Sequence, residues 1–281
     1  MDTNGEMTLA ASDKTASGAR VDETAVNEAI REKTTTTAEN EDTKNRMDAN
    51  DVSNGAVVKG TSYSTNCPFK FTPAGSFGVN TPEEVAAYYD NWAGTYDEWT
   101  KYCGYNGPQY LTDLVKRYCR TTDLILIVGV GTGLEAQLLF DNGYRQMHGV
   151  DGSIEMLNRA KTKGHLLELI HEFLQPNARS SIESHRYDTM LCVGCFVPGG
   201  LDERHVDDLL RTLKPGGISI IGTRETFIND PGEAFNYPYS LESKLKQLEQ
   251  AGAITLLDRV RKEHYGDNSV GVFFIHRVNH S

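Results

Sequence analysis

A strand-like sequence that runs into a glycine-rich turn is the feature that most constrains the fold of this chain. Residues Leu124–Gly133 read LILIVGVGTG, and His148–Ser153 reads HGVDGS, with Asp151 closing a second apolar stretch. A strand, a glycine turn, a helix, a second strand and an acid are typical of a doubly wound α/β fold that holds an adenosine-containing cofactor. The sequence therefore predicts a nucleotide-cofactor site at one edge of a parallel sheet.

The spacing of the glycines in this turn favours one kind of cofactor. Gly129, Gly131 and Gly133 form G-x-G-x-G, in which Gly129 permits a tight turn and Gly131 lets the backbone approach a ligand closely. The dinucleotide pattern G-x-G-x-x-G would need a glycine where this chain has Leu134. A mononucleoside cofactor with an amino-acid tail and no phosphate needs only the loop. Asp151 would then accept hydrogen bonds from both ribose hydroxyls.

Further segments extend this pattern on both sides. Tyr187–Cys195 (YDTMLCVGC) reads as another strand, Asp202–Leu213 as a helix followed by a KPGG turn, and Ile218–Gly222 as the next strand. Upstream, residues 89–97 read YDNWAGTYD. Over residues 80–278 the chain resembles the class I S-adenosylmethionine-dependent methyltransferases. The YDxWAxxYD lid, HGVDGS and the Val-Gly pair that ends strand four are similar to the methyltransferase-like family first associated with the Williams–Beuren syndrome region.

The resemblance implies a fold, a cofactor and a reaction. The implied fold is a Rossmann-like, doubly wound, mostly parallel seven-stranded sheet with helices on both faces and a C-terminal antiparallel hairpin. The implied cofactor is S-adenosyl-L-methionine, which supplies a methyl group already activated by its sulfonium. The protein would then orient the acceptor in line with the methyl group and exclude water. No dedicated base is required when the acceptor is already nucleophilic, so we predict no catalytic residue.

Candidate site residues come from the loop, the strand ends and the lid. Those predicted to bind the cofactor are Tyr96, Gly129, Gly131, Gly133, Asp151, Gly152, Ser153, Phe173, Leu174, Val193 and Gly194. Those predicted to line an acceptor pocket are Trp92, Phe196, Arg224 and Glu225. Each has a structural alternative: Phe173 and Leu174 fit a plain core equally well, and Trp92, Tyr96 and Trp99 fit helix packing. Aromatic lid residues would attract a sulfonium cation.

The chain departs from the resembling family at three positions. The family usually has an acid two residues before Gly129, and this chain has Ile127; many relatives have Cys or Ala at Val130. The loop after strand four often reads Phe-x-Pro-Gly-His in relatives, but here Gly200 replaces the histidine. A histidine base carried over from relatives is therefore not available, and the missing acid removes a polar contact near the amino-acid end of the cofactor.

Composition narrows the partners and the compartment. The net charge of −11 disfavours nucleic-acid binding, which needs a basic face. The sequence has neither an apolar run long enough to span a membrane nor the apolar region of a secretory signal. The five cysteines are odd in number and scattered, which predicts reduced thiols and a cytoplasmic protein. Cys192 and Cys195 fit small core residues better than a zinc site, since no second Cys or His pair is suitably spaced.

Two regions of different composition predict the domain organisation. Residues 1–70 form an acidic, Thr-rich segment whose first aromatic residue is Tyr63, and we expect this tail to be disordered. Residues 75–281 are predicted to form the catalytic domain, with a helical lid over 81–120. Within the lid, Thr81 to Glu84 has the pattern of a capping box with proline at the first helical position.

Apolar spacing predicts the remaining elements. We expect helices over Gln109–Tyr118 and Leu134–Asp141, a helix capped by Ser153 with Ile154, Leu157 and Ala160 inward, and another over residues 241–248 ended by Gly252. Leu166–Phe173 is predicted as strand three, Gln175–Arg186 as a polar loop, and Ile254–Val260 with Val270–Val278 as the closing hairpin.

Three functional hypotheses follow. The favoured one is a methyltransferase acting on a small-molecule acceptor, because the chain is acidic and lacks an Asn-Pro-Pro-Tyr-type sequence after strand four. The second is a non-catalytic, methyltransferase-like scaffold that acts through protein partners, motivated by Ile127 and the acidic tail. The third is a nicotinamide-dependent oxidoreductase, against which Leu134 argues. Acceptor identity and oligomeric state stay open.

Overall fold

The computed structural model describes residues 81–229, 240–266 and 269–279, which belong to one compact unit, Ala56–Ser281. The predicted disordered tail, residues 1–70, lies outside the described residues. The predicted lid and the predicted cofactor-binding residues lie within them. The domain boundary near residue 75 therefore stays a prediction.

Helices and strands alternate through most of the described chain. The α-helices are α1 (Pro82–Trp92), α2 (Tyr96–Tyr102), α3 (Gly107–Tyr118), α4 (Leu134–Asp141), α5 (Ile154–Lys163), α6 (Val206–Arg211), α7 (Thr226–Asn229) and α8 (Leu241–Gln250), with a 3-10 turn at Glu203–His205. The strands are β1 (Ile125–Val128), β2 (Met147–Asp151), β3 (Glu168–His171), β4 (Tyr187–Val193), β5 (Leu213–Arg224), β6 (Ile254–Gly266) and β7 (Ser269–Val278).

The strands form one seven-stranded sheet in the order β3-β2-β1-β4-β5-β7-β6. The pairs from β3 to β5 are parallel, and β7 is antiparallel to both β5 and β6. This arrangement confirms the predicted doubly wound sheet with its C-terminal hairpin. The chain winds outward in opposite directions from β1 and β4, so their carboxyl ends flank the crevice where such sheets bind ligands.

Apolar clusters cover both faces of the sheet. Alternate residues of β1 point to opposite faces, with Leu126 and Val128 in one cluster and Ile125 and Ile127 in the other. Helices α6 and α8 contribute to the first cluster, and α3 and α4 to the second. Strand β1 is buried along its whole length, as expected for a parallel strand covered by helices on both sides.

The predicted capping box is confirmed at the start of α1. The Glu84 N–H donates to Thr81 Oγ1 at 3.2 Å, and the Thr81 N–H donates to Glu84 Oε2 at 3.1 Å. Val85 and Trp92 are buried on one face of the helix. The lid therefore begins with a defined, docked helix.

Several predicted boundaries and one predicted core residue are wrong. Ile154 is 42% exposed, and Met156 is buried instead. Ile154 is the first residue of α5, so it has no preceding helical turn to pack over. The predicted helix over Asp202–Leu213 begins with a 3-10 turn, and β3 is shorter than predicted. Strands β5 and β6 are longer than predicted because they pair with β7 over most of its length.

Candidate functional site

The glycine loop between β1 and α4 adopts a backbone conformation that side chains disfavour. Gly129, Gly131 and Gly133 have φ angles of +63°, +53° and +82°. A Cβ on Gly129 would lie 2.2 Å from Cys195 Sγ, so a side chain there has no space. The loop leaves a cradle of bare backbone at the end of β1.

Asp151 ties this loop to the end of β2. One carboxylate oxygen accepts from the Gly131 N–H at 2.8 Å, and the other accepts from the Ser153 N–H at 2.9 Å. Burial raises the pKa of the Asp151 carboxyl, while the two backbone N–H groups oppose that rise. A carboxylate has room for about four acceptor contacts, so each oxygen retains a lone pair for a ligand hydroxyl.

A cavity of about 200 Å³ lies above the carboxyl ends of the parallel strands. The predicted residues that line it are Tyr96, Gly129, Gly131, Asp151, Gly152, Ser153, Phe173, Leu174, Val193, Gly194, Trp92 and Arg224. The fold therefore brings residues from the lid, the glycine loop and the ends of β2, β4 and β5 around one space.

Three predicted residues lie outside the cavity lining. Gly133 packs instead against α5, where an added Cβ would be 3.3 Å from the Ala160 Cβ. Phe196 is fully buried in the core, and its carbonyl accepts from the Thr223 hydroxyl at 2.6 Å.

Glu225 is the third, and it lies on the surface. Its carboxylate pairs with Arg261, with Nε and Oε1 3.0 Å apart. Glu225 is not among the residues that line the cavity, whereas Arg224 is. Of the two acceptor-pocket candidates after β5, only Arg224 reaches the cavity.

Gly152 and Phe173 form a flat wall next to Asp151. A Cβ on Gly152 would lie 2.5 Å from Phe173 Cδ2, so the ring packs directly on the bare backbone. Leu174 continues this wall. An apolar surface of this shape suits a planar base.

The two aspartates of the YDNWAGTYD segment dock the lid onto the rest of the site. Asp90 at the end of α1 accepts from the Ser153 hydroxyl at 2.5 Å. Asp97 in α2 accepts from the Thr132 hydroxyl and pairs with Lys163 Nζ at 2.7 Å. The lid therefore contacts the glycine loop and both ends of α5.

Aromatic rings fill the underside of the lid. The ring centroid of Trp92 lies 4.8 Å from that of Tyr96 and 5.1 Å from that of Trp99, both in edge-to-face orientation. All three line the cavity. The sequence offered helix packing and a lid role as alternatives for these three residues. In the structure their rings pack against one another and also line the cavity.

Sequence reasoning missed many of the cavity residues, among them Tyr105, Glu135, Cys195 and Tyr265. The Tyr105 and Tyr265 hydroxyls lie 3.2 Å apart. Tyr265 enters from the far end of β6, which the sequence predicted to stop at Val260, so nothing local could have found this pair. Burial raises the pKa of Glu135 to about 7.

The cysteine pair at the end of β4 has a packing role. Cys192 is fully buried, whereas Cys195 lines the cavity and donates from Sγ to the Val128 carbonyl at 3.4 Å. A hydrogen bond with Cys192 and burial raise the pKa of the Cys195 thiol. Within residues 81–229, 240–266 and 269–279, no cluster of His, Cys, Asp and Glu could hold a metal ion.

Comparison with known families and proteins assigns this arrangement to a class. A family profile for a methyltransferase domain matches residues 125–217. Human Methyltransferase-like protein 27 is 34% identical over 178 residues, covering 62% of this chain and 70% of that protein.

Solved structures share the fold at low sequence identity. A methyltransferase complexed with the Haloferax volcanii Trm112 methyltransferase activator has a TM-score of 0.55 at 14% identity, over 70% of this chain and 98% of that one. Burkholderia thailandensis 1,6-didemethyltoxoflavin-N1-methyltransferase, with S-adenosylhomocysteine bound, has a TM-score of 0.52 at 17% identity, over 72% and 92%. The [4+2]-cyclase SpnF has a TM-score of 0.55 at 17% identity, over 72% and 98%.

The sheet order, the glycine loop and the acid that ends β2 define a Rossmann-like methyltransferase fold. The chain belongs to the class I S-adenosylmethionine-dependent methyltransferases and, within them, to the methyltransferase-like proteins. The residues present suit this cofactor: the backbone at Gly131 has open space beside it, and each Asp151 oxygen accepts one backbone N–H and retains a lone pair for a ribose hydroxyl.

Proposed function

We propose that this protein transfers a methyl group from S-adenosylmethionine to a small-molecule acceptor. The observation that carries the proposal is that one continuous cavity is lined by Asp151, the glycine loop and Arg224 at the end of β5. A donor and an acceptor can therefore meet inside one space. Methyl transfer needs chiefly this juxtaposition and the exclusion of water.

We assign the cofactor half of the cavity to the residues around Asp151. The Asp151 carboxylate would accept from the ribose hydroxyls, and the wall of Gly152 and Phe173 would cover the adenine. The bare loop at Gly129 and Gly131 would lie under the amino-acid tail. The bound cofactor would supply a methyl group already activated by a sulfonium.

The acceptor half is assigned to the ends of β4, β5 and β6. Arg224 is buried there and lines the cavity together with the Tyr105 and Tyr265 pair. Their hydroxyls and the guanidinium would orient an acceptor by hydrogen bonds. Trp92 and Tyr96 on the lid would cover the reacting atoms, exclude water and present aromatic faces to the sulfonium.

A small acceptor is favoured over a nucleic acid. The chain carries a net charge of −11, and a nucleic acid needs a basic face. The lid lies over the cavity, which limits access for a large substrate. The Burkholderia thailandensis structure is described with 1,6-didemethyltoxoflavin, a small molecule, bound.

The alternative is a non-catalytic scaffold acting through protein partners. A structure with this fold is described as a complex with the Trm112 methyltransferase activator. Another is described as a [4+2]-cyclase, so the shared fold leaves the reaction open. Methyl transfer itself must therefore be measured alongside cofactor binding.

We also propose a cytoplasmic location. The cysteines within the described residues, Cys103, Cys119, Cys192 and Cys195, are free thiols, as a reducing compartment favours. None of the described helices has the length and apolar character needed to cross a membrane.

The decisive experiment is calorimetric titration of the full chain with S-adenosylmethionine and S-adenosylhomocysteine. We expect micromolar binding that Asp151→Ala weakens at least about 100-fold, because two hydrogen bonds to a charged acceptor are lost. Asp141→Ala, an exposed acid at the end of α4, serves as the matched control. Asp151→Asn keeps the size of the side chain, and circular dichroism reports the fold of each variant. Together they distinguish the loss of ligand contacts from a collapse of the glycine loop.

A screen of small-molecule acceptors for S-adenosylhomocysteine release then tests catalysis. Release that depends on Asp151 supports the proposal. Tight cofactor binding without release on any acceptor favours the scaffold. A folded wild-type chain that binds neither ligand contradicts both.

A further inference from the structure

Glu135 is a cavity carboxylate that the proposed contacts do not use. It lies in the first turn of α4, directly after the glycine loop, and lines the cavity. The other acidic residues of the lining are committed elsewhere. Asp151 accepts from two backbone N–H groups, and Glu172 accepts from the Ser181 N–H and hydroxyl. Among the described residues, Glu135 forms no ion pair.

Two groups stabilise the charged form of Glu135, its own backbone N–H and the more remote charge of Lys163. Lys163 is itself engaged in an ion pair with Asp97 at 2.7 Å. Tyr96 and Tyr265 line the same cavity, and the Glu135 charge helps to raise the pKa of both hydroxyls. An ionised carboxylate in such a place is costly unless a ligand brings a positive charge.

The sheet order defines where the cofactor tail must run. Asp151 ends β2, and Phe173 follows β3, so the adenosine half occupies the β2–β3 side of the crevice. The amino-acid tail must then extend the other way, across the glycine loop toward β1 and β4. Glu135 lies on this path, next to the loop.

Ile127 cannot supply an acid to the tail. This residue is buried in the apolar cluster that α3 and α4 cover, and it is not part of the cavity lining. Glu135 is therefore the carboxylate in the described residues that is placed for the tail and not already paired.

We propose that the Glu135 carboxylate binds the α-ammonium group of the amino-acid tail of the cofactor. The inference rests on the proposed function, since it assumes that S-adenosylmethionine occupies this cavity. Glu135 follows the glycine loop, whereas the acid usual in the family precedes the loop, at the position of Ile127. The ammonium group of the ligand would give Glu135 the ion-pair partner that it lacks among the described residues.

The test compares S-adenosylhomocysteine with its analogue lacking the α-amino group, by calorimetry on the full chain. Glu135→Gln should weaken binding of S-adenosylhomocysteine about 10- to 100-fold, the size of a charged hydrogen bond, and leave the deamino analogue unchanged. Glu98→Gln makes the same charge change at an exposed position of α2 and should alter neither. Circular dichroism checks that each variant folds.

The pH dependence gives a second, independent readout. Burial raises the pKa of Glu135 to about 7, so its charged fraction and its affinity for an ammonium group both increase with pH. Wild-type affinity for S-adenosylhomocysteine should rise about tenfold from pH 6 to pH 8. Glu135→Gln should flatten this profile. The other groups that act on Glu135, among them Asp97, Asp151 and Lys163, are present in both proteins.

Each outcome has a separate meaning. Wild-type binding with an unaltered Glu135→Gln variant overturns this inference and leaves the proposed function intact. Affinity that falls with rising pH would show Glu135 bound as the neutral acid beside the tail carboxylate, and also overturns it. Absence of wild-type binding overturns the proposed function together with this inference.

Discussion

The Ser153 hydroxyl donates a 2.5 Å hydrogen bond to Asp90, which joins the lid to the turn that follows Asp151. The same Asp90 oxygen accepts from the Glu155 N–H at 3.1 Å, while Ser153 Oγ accepts from the Met156 N–H. Two side chains, one local and one from the lid, thus cap the N-terminus of α5. The helical segment 81–120 and the turn after Asp151 therefore share one hydrogen-bond network, and we expect movement of the one to affect the other.

Removing the lid carboxylate tests this coupling. Asp90→Ala should lower the free energy of unfolding by about 1 kcal/mol, the usual cost of a lost N-cap contact. It should also weaken S-adenosylhomocysteine binding about two- to tenfold, because molecules with an open lid must first close. Urea unfolding and calorimetry measure the two effects.

Asp113→Ala, at an exposed position of α3, provides the comparison for Asp90→Ala. It should change neither quantity. If Asp90→Ala loses stability but keeps full affinity for S-adenosylhomocysteine, then Asp90 only caps α5 and does not contribute to ligand binding.

Lys163 holds the second lid helix. Its ammonium group pairs with Asp97 at 2.7 Å and lies 3.4 Å from Thr132 Oγ1 in the glycine loop. The pair is partly exposed, so it contributes at most about 1 kcal/mol. Lys163→Met should therefore speed amide hydrogen exchange in residues 96–102 up to about fivefold, with little change in global stability.

Lys161→Met changes an exposed lysine on the same helix and should leave exchange in residues 96–102 unaltered. Equal exchange in the two variants would mean that aromatic packing alone, through Trp92 and Trp99, holds α2 in place.

The adenine wall gives a prediction specific to one half of the ligand. Phe173→Ala should weaken S-adenosylhomocysteine about tenfold, a typical loss when one base–aromatic contact is removed. Adenosine alone should be weakened by the same factor, because the ring contacts only that half. Phe173→Tyr keeps the ring and should bind both ligands as the wild type does. If Phe173→Ala weakens binding of S-adenosylhomocysteine but not of adenosine, then Phe173 contacts the amino-acid tail rather than the adenine.

Local chemistry explains which parts of the fold were predictable. The bounds of α4 match the prediction because Gly133 precedes it and Asn142 and Gly143 stop it, each through its own backbone preference. The parallel order of β1, β2 and β4 followed from apolar strands separated by helices and from the right-handed crossover rule. These signals all lie within short windows of sequence.

The parts that were missed depend on distant contacts or on side-chain direction. Tyr105 and Tyr265 meet across the fold, and no local pattern pairs residues so far apart. Arg224 and Glu225 were both assigned to the acceptor pocket, but the Glu225 carboxylate pairs with Arg261, a residue distant in sequence, and only Arg224 lines the cavity. Glu135 was overlooked because an acid in the first turn of a helix is ordinary by propensity.

Gly129 and Gly164 offer a matched pair that separates backbone strain from lost space. Both have positive φ, +63° and +71°. An added Cβ at Gly129 would lie 2.2 Å from Cys195 Sγ, whereas one at Gly164 meets nothing within 4 Å. Alanine at either position should lower the free energy of unfolding by about 1 kcal/mol, because a side chain disfavours the left-handed backbone conformation.

Gly129→Ala must in addition displace Cys195 or the loop, so it should abolish detectable S-adenosylhomocysteine binding, while Gly164→Ala binds as the wild type does. Calorimetry with urea unfolding of both variants measures the difference. Shortening the obstructing side chain in the double variant Gly129→Ala, Cys195→Ala should recover part of the binding, because the thiol is the atom nearest the added methyl group. Failure of this rescue, with the fold intact, would place the loss in the loop backbone rather than in the contact with Cys195.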